Sequence, residues 1–279
     1  MLKRQRTGSV LCTSCGVLVG VNDKTCYNCG RHNPGLWGWA PAVRALGNDL
    51  GFGPFIIGAC VVLYVLSLLL SGGGYGLMLS PGQQVLLALG ASGYLPMMLF
   101  GGWWTILSAG WLHGSVIHIL FNMMWVRQLV PGVADLYGPG RTVIIYTVSG
   151  AAGFLLSSAA YRFLPHLPFL TGSQVTIGAS ASIFGLLGSV VYYGRRAGSS
   201  LAASQAWQYA ISAGALGFIL PGIDNYAHIG GFAGGYLAGR LLDPLKSERI
   251  DHIVIALGCL AASMLAILWS AYTTLQIFR

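Results

Sequence analysis

Apolar residues run in long stretches through most of this chain, while polar residues gather in a few places. Runs long enough to cross a bilayer as helices occupy about 54–71, 115–131, 142–161, 178–194, 201–219, 226–243 and 252–276, seven in all. The pattern predicts an all-α polytopic membrane protein, because a helix in hydrocarbon satisfies its own backbone hydrogen bonds. The interval 72–112 is apolar too, but Gly72-Gly73-Gly74, Pro81, Pro96 and Gly101-Gly102 interrupt it. It reads as a large loop with short helices lying in or on one leaflet, not as an eighth span. Residues 1–35 are polar. Residues 36–53, with Trp37, Trp39 and Pro41, read as an interfacial linker.

Composition agrees with the pattern. Of 279 residues, 55% are hydrophobic and 8% charged, against roughly a quarter charged in a soluble domain. So few charges cannot cover a water-facing surface, and lipid is the expected solvent for most of the chain. The net charge of +8 forms no basic stripe interleaved with aromatics, so no nucleic-acid partner is expected. Instead, Lys and Arg sit at the ends of the apolar runs. With the N-terminus in the cytoplasm, Lys3, Arg4, Arg6, Lys24, Arg31, Arg44, Arg127, Arg141, Arg195, Arg196, Arg240, Lys246 and Arg249 fall inside; only Arg162 and Arg279 fall outside. That asymmetry predicts a cytoplasmic N-terminus and an outer C-terminus. A bacterial plasma membrane is the expected location. The basic start, Met1 to Arg6, leads into a cysteine-rich segment and not an apolar core, so no cleavable signal peptide is expected.

Four of the six cysteines cluster as Cys12-Thr-Ser-Cys15 and Cys26-Tyr-Asn-Cys29. Two CxxC knuckles at short separation supply four thiolates that can close tetrahedrally on zinc, and Gly16 and Gly30 suit the knuckle turns. The module is similar to a zinc ribbon and predicts a structural zinc. The alternative, a pair of disulfides, requires an oxidising compartment, which the orientation argues against. A tethered ribbon either binds a protein partner or serves as a folded cap. Cys60 and Cys259, alone in apolar runs, read as small buried hydrophobes.

Polar side chains inside spans are costly and point to function. Here they gather at one level. The second run opens with His113-Gly-Ser-Val-Ile-His118 and continues to Asn122; the fourth opens with Gly178-Ala-Ser180-Ala-Ser182; the sixth opens with Asp224-Asn-Tyr-Ala-His228. All three would descend from the outer face, which puts Ser180 and His228 at a matched depth of roughly 6–8 Å. Ala181, Gly185 and Ser189 form a small-residue stripe on the fourth run, as do Ala227, Gly231, Gly235 and Gly239 on the sixth. Such stripes let two helix backbones approach closely in lipid. Ser180 and His228 flank the expected contact.

An imidazole beside a serine hydroxyl can take its proton and make it a nucleophile. Ser180, in the first turns of its helix, lies where free N–H groups favour a developing oxyanion. His118 and Asn122, four residues apart on one helix face, could donate further hydrogen bonds to it. Phe184, one turn after Ser180, could pack on the imidazole, whereas Ser182 points elsewhere. Asp224 reads as a helix N-cap more readily than as an orienting carboxylate for His228, so a dyad is expected in place of a triad.

These residues together resemble the rhomboid family of intramembrane proteases. The likeness is carried by Trp111-Leu-His113-Gly-Ser-Val-Ile-His118-Ile-Leu-Phe-Asn122, Ile177-Gly-Ala-Ser180-Ala-Ser-Ile-Phe-Gly185, and Ala227-His228-Ile-Gly-Gly-Phe-Ala-Gly234, with Tyr137-Gly138 through Tyr146 and Gly150 between. It implies a six-helix catalytic core and a Ser180–His228 dyad. It also implies an oxyanion site that includes His118 and Asn122, and transmembrane substrates cut near their outer ends. Catalysis would need no cofactor. The expected division is a ribbon-like module at 1–35, the linker at 36–53, a rhomboid-like core at 54–245 and an added seventh span in 246–279.

Two positions depart from the family pattern. Ala181 replaces the glycine that usually follows the nucleophile, where a methyl group would crowd the backbone or alter the oxyanion geometry. Thr105 replaces an arginine after Trp104, associated with holding the first loop. The main alternative function is a non-catalytic relative that binds transmembrane clients. A seven-span receptor or transporter would carry charges or broken helices in paired halves, and neither is present. An α/β-hydrolase is disfavoured because Gly178-Ala-Ser-Ala-Ser182 lacks the second glycine of its elbow motif.

Overall fold

The computed structural model describes residues 3–73, 76, 78–167, 170–219 and 222–277. Met1, Gly74 and Arg279, named above, lie outside them. The chain divides into two compact units, Met1–Phe52 and Gly53–Arg279.

In the first unit, β1 (Ser9–Leu11) pairs antiparallel with β2 (Leu18–Gly20), Val10 opposite Val19. The first CxxC knuckle is the turn between the strands. Val10, Val19, Val21, Cys12, Cys26 and Ala40 make its small core. The short α1 (Ala40–Arg44) follows, with Pro41 in its first turn where a missing N–H costs nothing. Six residues are a thin core for any domain, and units of this size usually rely on a metal or disulfide.

The second unit is helical. Its long helices are α2 (Phe52–Leu70), α5 (Val116–Tyr137), α6 (Pro139–Phe163), α7 (Ser180–Ala197), α8 (Ser200–Ile219), α9 (Asn225–Leu241) and α10 (Ile250–Ile277), one at each apolar run. Between α2 and α5 the broken segment holds α3 (Gln83–Ala88), a π-helical turn (Tyr94–Leu99), α4 (Thr105–Ser108) and a 3-10 turn (Ala109–Trp111). Among the described residues four helices, α2, α5, α6 and α10, are long and apolar enough to cross a membrane by length and composition. In α7, α8 and α9, serine, glutamine, glycine and arginine take part of that apolar content. The protein is thus a helical polytopic membrane protein.

One boundary differs from the sequence reading. The second apolar run ends at 131, yet α5 continues to Tyr137 with Pro131 inside it. Neighbouring helices in a bundle can accommodate the lost hydrogen bond. The helix stops at Gly138, whose φ of +88° suits glycine, and α6 begins at Pro139. Glu248 sits at that junction and accepts a hydrogen bond from the Arg141 N–H at 2.8 Å, in the first turn of α6. Burial pushes its carboxyl group upward from the ordinary value. Arg141 in turn donates to the carbonyls of Leu242 and Asp243, each at 2.9 Å, at the end of α9.

At the centre α6, α7 and α9 pack backbone to backbone. A Cβ built on Gly231 would overlap the Ala181 carbonyl, and one on Gly235 would overlap the Gly185 carbonyl. One on Gly239 would lie 3.2 Å from the Ser189 Cβ. The two stripes therefore meet in register, 231 on 181, 235 on 185 and 239 on 189. Helix α6 wedges against both. Ser149 fills the space beside Gly185, and a Cβ on Gly153 would be 2.8 Å from the Ala181 methyl group. Close backbone approach maximises dispersion contact where no hydrophobic effect is available to drive association.

Candidate active site

A cavity of about 560 Å³ opens between α5, α7, α8 and α9, with the segment 173–177 as a further wall. Ser180, His228, His118, Asn122 and Phe184 all line it. Each is positioned by the start of a helix. Ser115 caps α5, its hydroxyl accepting from the His118 N–H at 3.2 Å. Asp224 caps α9, its carboxylate accepting from the Ala227 N–H at 3.0 Å. Helix α7 begins at Ser180 itself, and Ala179 supplies no side-chain cap. The first-turn N–H groups thus have no cap oxygen competing for them.

His228 is buried and stacks on Phe184, centroids 4.1 Å apart and planes inclined by 10°. Its Nδ1 has no hydrogen-bond partner among the described residues. The Asp224 carboxylate is engaged instead by the Ala227 N–H and the Ser157 hydroxyl. Among the described residues no carboxylate is hydrogen-bonded to the imidazole, and the Phe184 ring lies flat against it.

His118 is oriented by a hydrogen bond from the Gly114 N–H to its Nδ1 at 3.4 Å. With Nδ1 accepting, the ring proton belongs on Nε2. Nε2 faces Gly178, where an added Cβ would lie only 2.6 Å away. Gly178 also has φ of +119°, a backbone conformation that L side chains rarely adopt. The His118 Nε2–H is thereby held beside the start of α7. Asn122 donates one amide hydrogen to the His118 carbonyl at 2.8 Å, leaving its second N–H available.

Ser182 lies away from the cavity, buried against Gly150 of α6. The Ala181 methyl group also points away, packed with Ala109, Phe154 and Ala227. The space it needs is supplied by Gly153. The methyl group is thus taken up at a helix junction and does not line the cavity. Thr105 is buried in the loop, its hydroxyl 2.6 Å from the Gly102 carbonyl and 3.2 Å from the Ser92 hydroxyl. There it serves a neutral network in place of an arginine.

Two features were not assigned from sequence. His113 is buried and packs edge-on against His118, centroids 5.1 Å apart. Its place in the His113-to-His118 motif was visible, but a five-residue spacing across a helix start does not reveal contact. The cavity wall formed by Ser173, Val175 and Thr176 has no sequence signature.

In the first unit, the sulfurs of Cys12, Cys15, Cys26 and Cys29 all lie within 4.8 Å of one another. The closest pairs, Cys15–Cys26 at 3.6 Å and Cys12–Cys29 at 3.8 Å, are unbonded thiols. Four thiolates at about 2.3 Å around a tetrahedral zinc are spaced about 3.8 Å apart, so the cluster fits a metal ion better than disulfides. Gly16 and Gly30 take φ of +73° and +72°. Their N–H groups bond back to the Cys12 and Cys26 carbonyls at 3.0 Å. Hydrogen bonds from the Asn28 side chain and the Val17 backbone bring the Cys15 thiol down to about 6, while burial and the hydrogen bonds it shares with Cys15 and Cys29 push the Cys26 thiol up to about 11.

Residues 100–244, just over half of the chain, match the Rhomboid domain family, and the chain belongs to the rhomboid family. Among its relatives, RHOMBOID-like protein 4 of Arabidopsis thaliana is 36% identical over 143 residues, covering 50% of this chain and 34% of that protein. RHOMBOID-like protein 7 of the same plant is 33% identical over 169 residues, covering 59% and 51%. Rhomboid protease GluP of Bacillus subtilis is 29% identical over 198 residues, covering 68% and 36%. The chain thus spans about a third to a half of the length of these relatives. They come from a plant and a bacterium alike, so the likeness does not single out a bacterial membrane.

Proposed function

We propose that this protein is an intramembrane serine endopeptidase working through a Ser180–His228 dyad. The observation that carries the reading is the convergence of Ser180, His228, His118 and Asn122 on one cavity, with the His118 proton directed to the start of α7. The Ser180 hydroxyl attacks the scissile carbonyl carbon while the His228 imidazole accepts its proton. The negative oxygen that forms is held by the His118 Nε2–H, the free Asn122 N–H and the first-turn N–H groups of α7. Collapse of this tetrahedral species breaks the C–N bond, and the imidazolium returns the proton to the leaving amine. Water, deprotonated by the same imidazole, then hydrolyses the acyl-serine and regenerates the hydroxyl.

The substrate class follows from the walls. Ile117, Phe121 and Trp125 of α5 and Ala213 and Leu216 of α8 make the cavity apolar toward the lipid side. A transmembrane segment that loses its helix near the outer end would enter there, because an extended chain in hydrocarbon needs partners for its bare backbone groups. Seven spans, an N-terminus in the cytoplasm and a C-terminus outside complete the proposal, supported by the distribution of Lys and Arg. The domain limits remain those drawn from sequence, with the catalytic core at 54–245 and α10 as the added span.

The test is cleavage of a single-span substrate carrying a helix-breaking residue near its outer end, by the protein reconstituted in liposomes. Cleavage by the unaltered protein and none by Ser180→Ala is the expected result. Co-purification of uncut substrate with the unaltered protein would favour the client-binding alternative. Gly178→Ala is expected to lower the rate about 100-fold or more, by driving a methyl group into the His118 donor. A rate within a factor of two of the parent's would remove His118 from the oxyanion site.

The four cysteines are proposed to hold one structural zinc ion, which supplies folding energy and no catalytic step. Metal analysis of the purified protein is expected to give one zinc per chain, and Cys26→Ser to abolish it. A partner for this ribbon, if it has one, is a protein at the cytoplasmic surface.

A further inference from the structure

The last helix packs where its position in the sequence gives no warning. Helix α10 lies against α6, α4 and α3, and so reaches the loop between α2 and α5. Its buried face carries Ser263, Ala266, Ile267 and Ser270, while Leu265, Leu268 and Tyr272 are exposed. Ser270 is 4% exposed and accepts a hydrogen bond from the Trp104 Nε1–H at 2.8 Å. Trp269, beside it, receives the Trp104 ring edge-on, centroids 6.2 Å apart. Gly90, at φ of +101°, lets the Ser270 hydroxyl in, since a Cβ there would be 2.7 Å from it.

Beside this contact, hydrogen bonds within the loop lead on to the segment that precedes Ser180. The Ser108 hydroxyl donates to the Gly90 carbonyl at 2.7 Å, and the Thr105 hydroxyl reaches the Ser92 hydroxyl at 3.2 Å. Ser92 and Thr176 exchange two backbone hydrogen bonds, at 3.0 and 2.7 Å. The N–H groups of Tyr94 and Leu95 donate to Ser173 and Gln174, each at 3.0 Å, and the Gly178 N–H donates to Ala109 at 2.9 Å. The loop thus fixes the strand-like segment 173–178 at both ends. That segment walls the cavity and runs into Ser180.

We propose that α10 is a positioning element for the active site, with Ser270 and Trp104 holding the loop that sets the segment leading into Ser180. The catalytic part of this inference rests on Ser180 being the nucleophile; the mechanical part does not. Removing the Ser270 hydroxyl leaves the Trp104 N–H without its acceptor and frees the loop to shift. Segment 173–178 would shift with it, and small displacements of reacting groups act on the chemical step before they act on affinity.

The test uses the full chain in nanodiscs, with Ser270→Ala, Ser270→Thr and Trp104→Phe. Hydrogen exchange is expected to speed up at the Thr176 and Gly178 amides in Ser270→Ala and Trp104→Phe, and to return toward the parent rate in Ser270→Thr, which keeps the hydroxyl. In the cleavage assay kcat is expected to fall about 10- to 100-fold with KM nearly unchanged, again recovered by Ser270→Thr. Unchanged exchange at 173–178 in both hydroxyl-loss and indole-loss variants would overturn the proposal. So would a loss that Ser270→Thr fails to recover and that tracks the unfolding temperature alone. Should the parent cleave nothing, the exchange measurement still decides the mechanical claim, while the Ser180 reading fails separately.

Discussion

Ser180→Ala is expected to leave the protein folded while lowering single-turnover cleavage by about 10⁴- to 10⁶-fold. Ser180 lines a cavity and not a helix interface, so deleting its hydroxyl opens little new space. His228→Asn is expected to fall by a similar factor, because a serine without a base is a poor nucleophile. The double variant should be scarcely worse than either single one, since residues that act as a unit lose their effect together. Rates that multiply in the double variant would mean the two side chains act independently. The choice of asparagine matters: His228 stacks on Phe184, and truncation to alanine would confound chemistry with a packing defect.

The second large effect is structural. Gly235→Ala and Gly231→Ala each set a methyl group onto a backbone carbonyl of α7, that of Gly185 or Ala181. Backbone cannot step aside as a flexible side chain can, so the helices must separate. A loss of about 1–3 kcal/mol or more is expected for each, read as a fall in unfolding temperature in detergent. Gly258→Ala of α10 is the control. Its added Cβ meets nothing within 4 Å, and alanine's better helix propensity should leave stability equal or slightly higher. At a temperature where all three are folded, Gly231→Ala should lose more activity than Gly235→Ala, because Ala181 adjoins Ser180. Equal activities would mean that the start of α7 is held from elsewhere.

Much of this architecture can be read along the chain because lipid imposes simple rules. Apolar length gives the helices, and the glycine and proline breaks at 72–112 give a loop of short helical pieces. The contact between α7 and α9 is legible because small residues recur every fourth position on both. Helix α6 is not legible in that way. Gly153 and Ser149 take part in the same junction, but they sit among other small residues with no motif to mark them. The hydrogen bond from Trp104 to Ser270 spans 166 residues, and neither residue is unusual in its own run. The six-residue offset in the end of α5 has a local cause: a proline reads as a stop, yet the turn that ends the helix is made by Gly138.

The meeting of Ala181 with Gly153 has a consequence for comparing members of such a fold. A methyl group stands on one helix where its neighbour has none, so the volume at this junction is a property of two positions together. A chain with glycine at the first would have room for a side chain at the second, and the same three helices would still close. Tolerance next to Ser180 is then decided a helix away, by the shape of the ground on which that methyl group rests. Residue 181 is therefore to be read together with residue 153, as half of a matched pair.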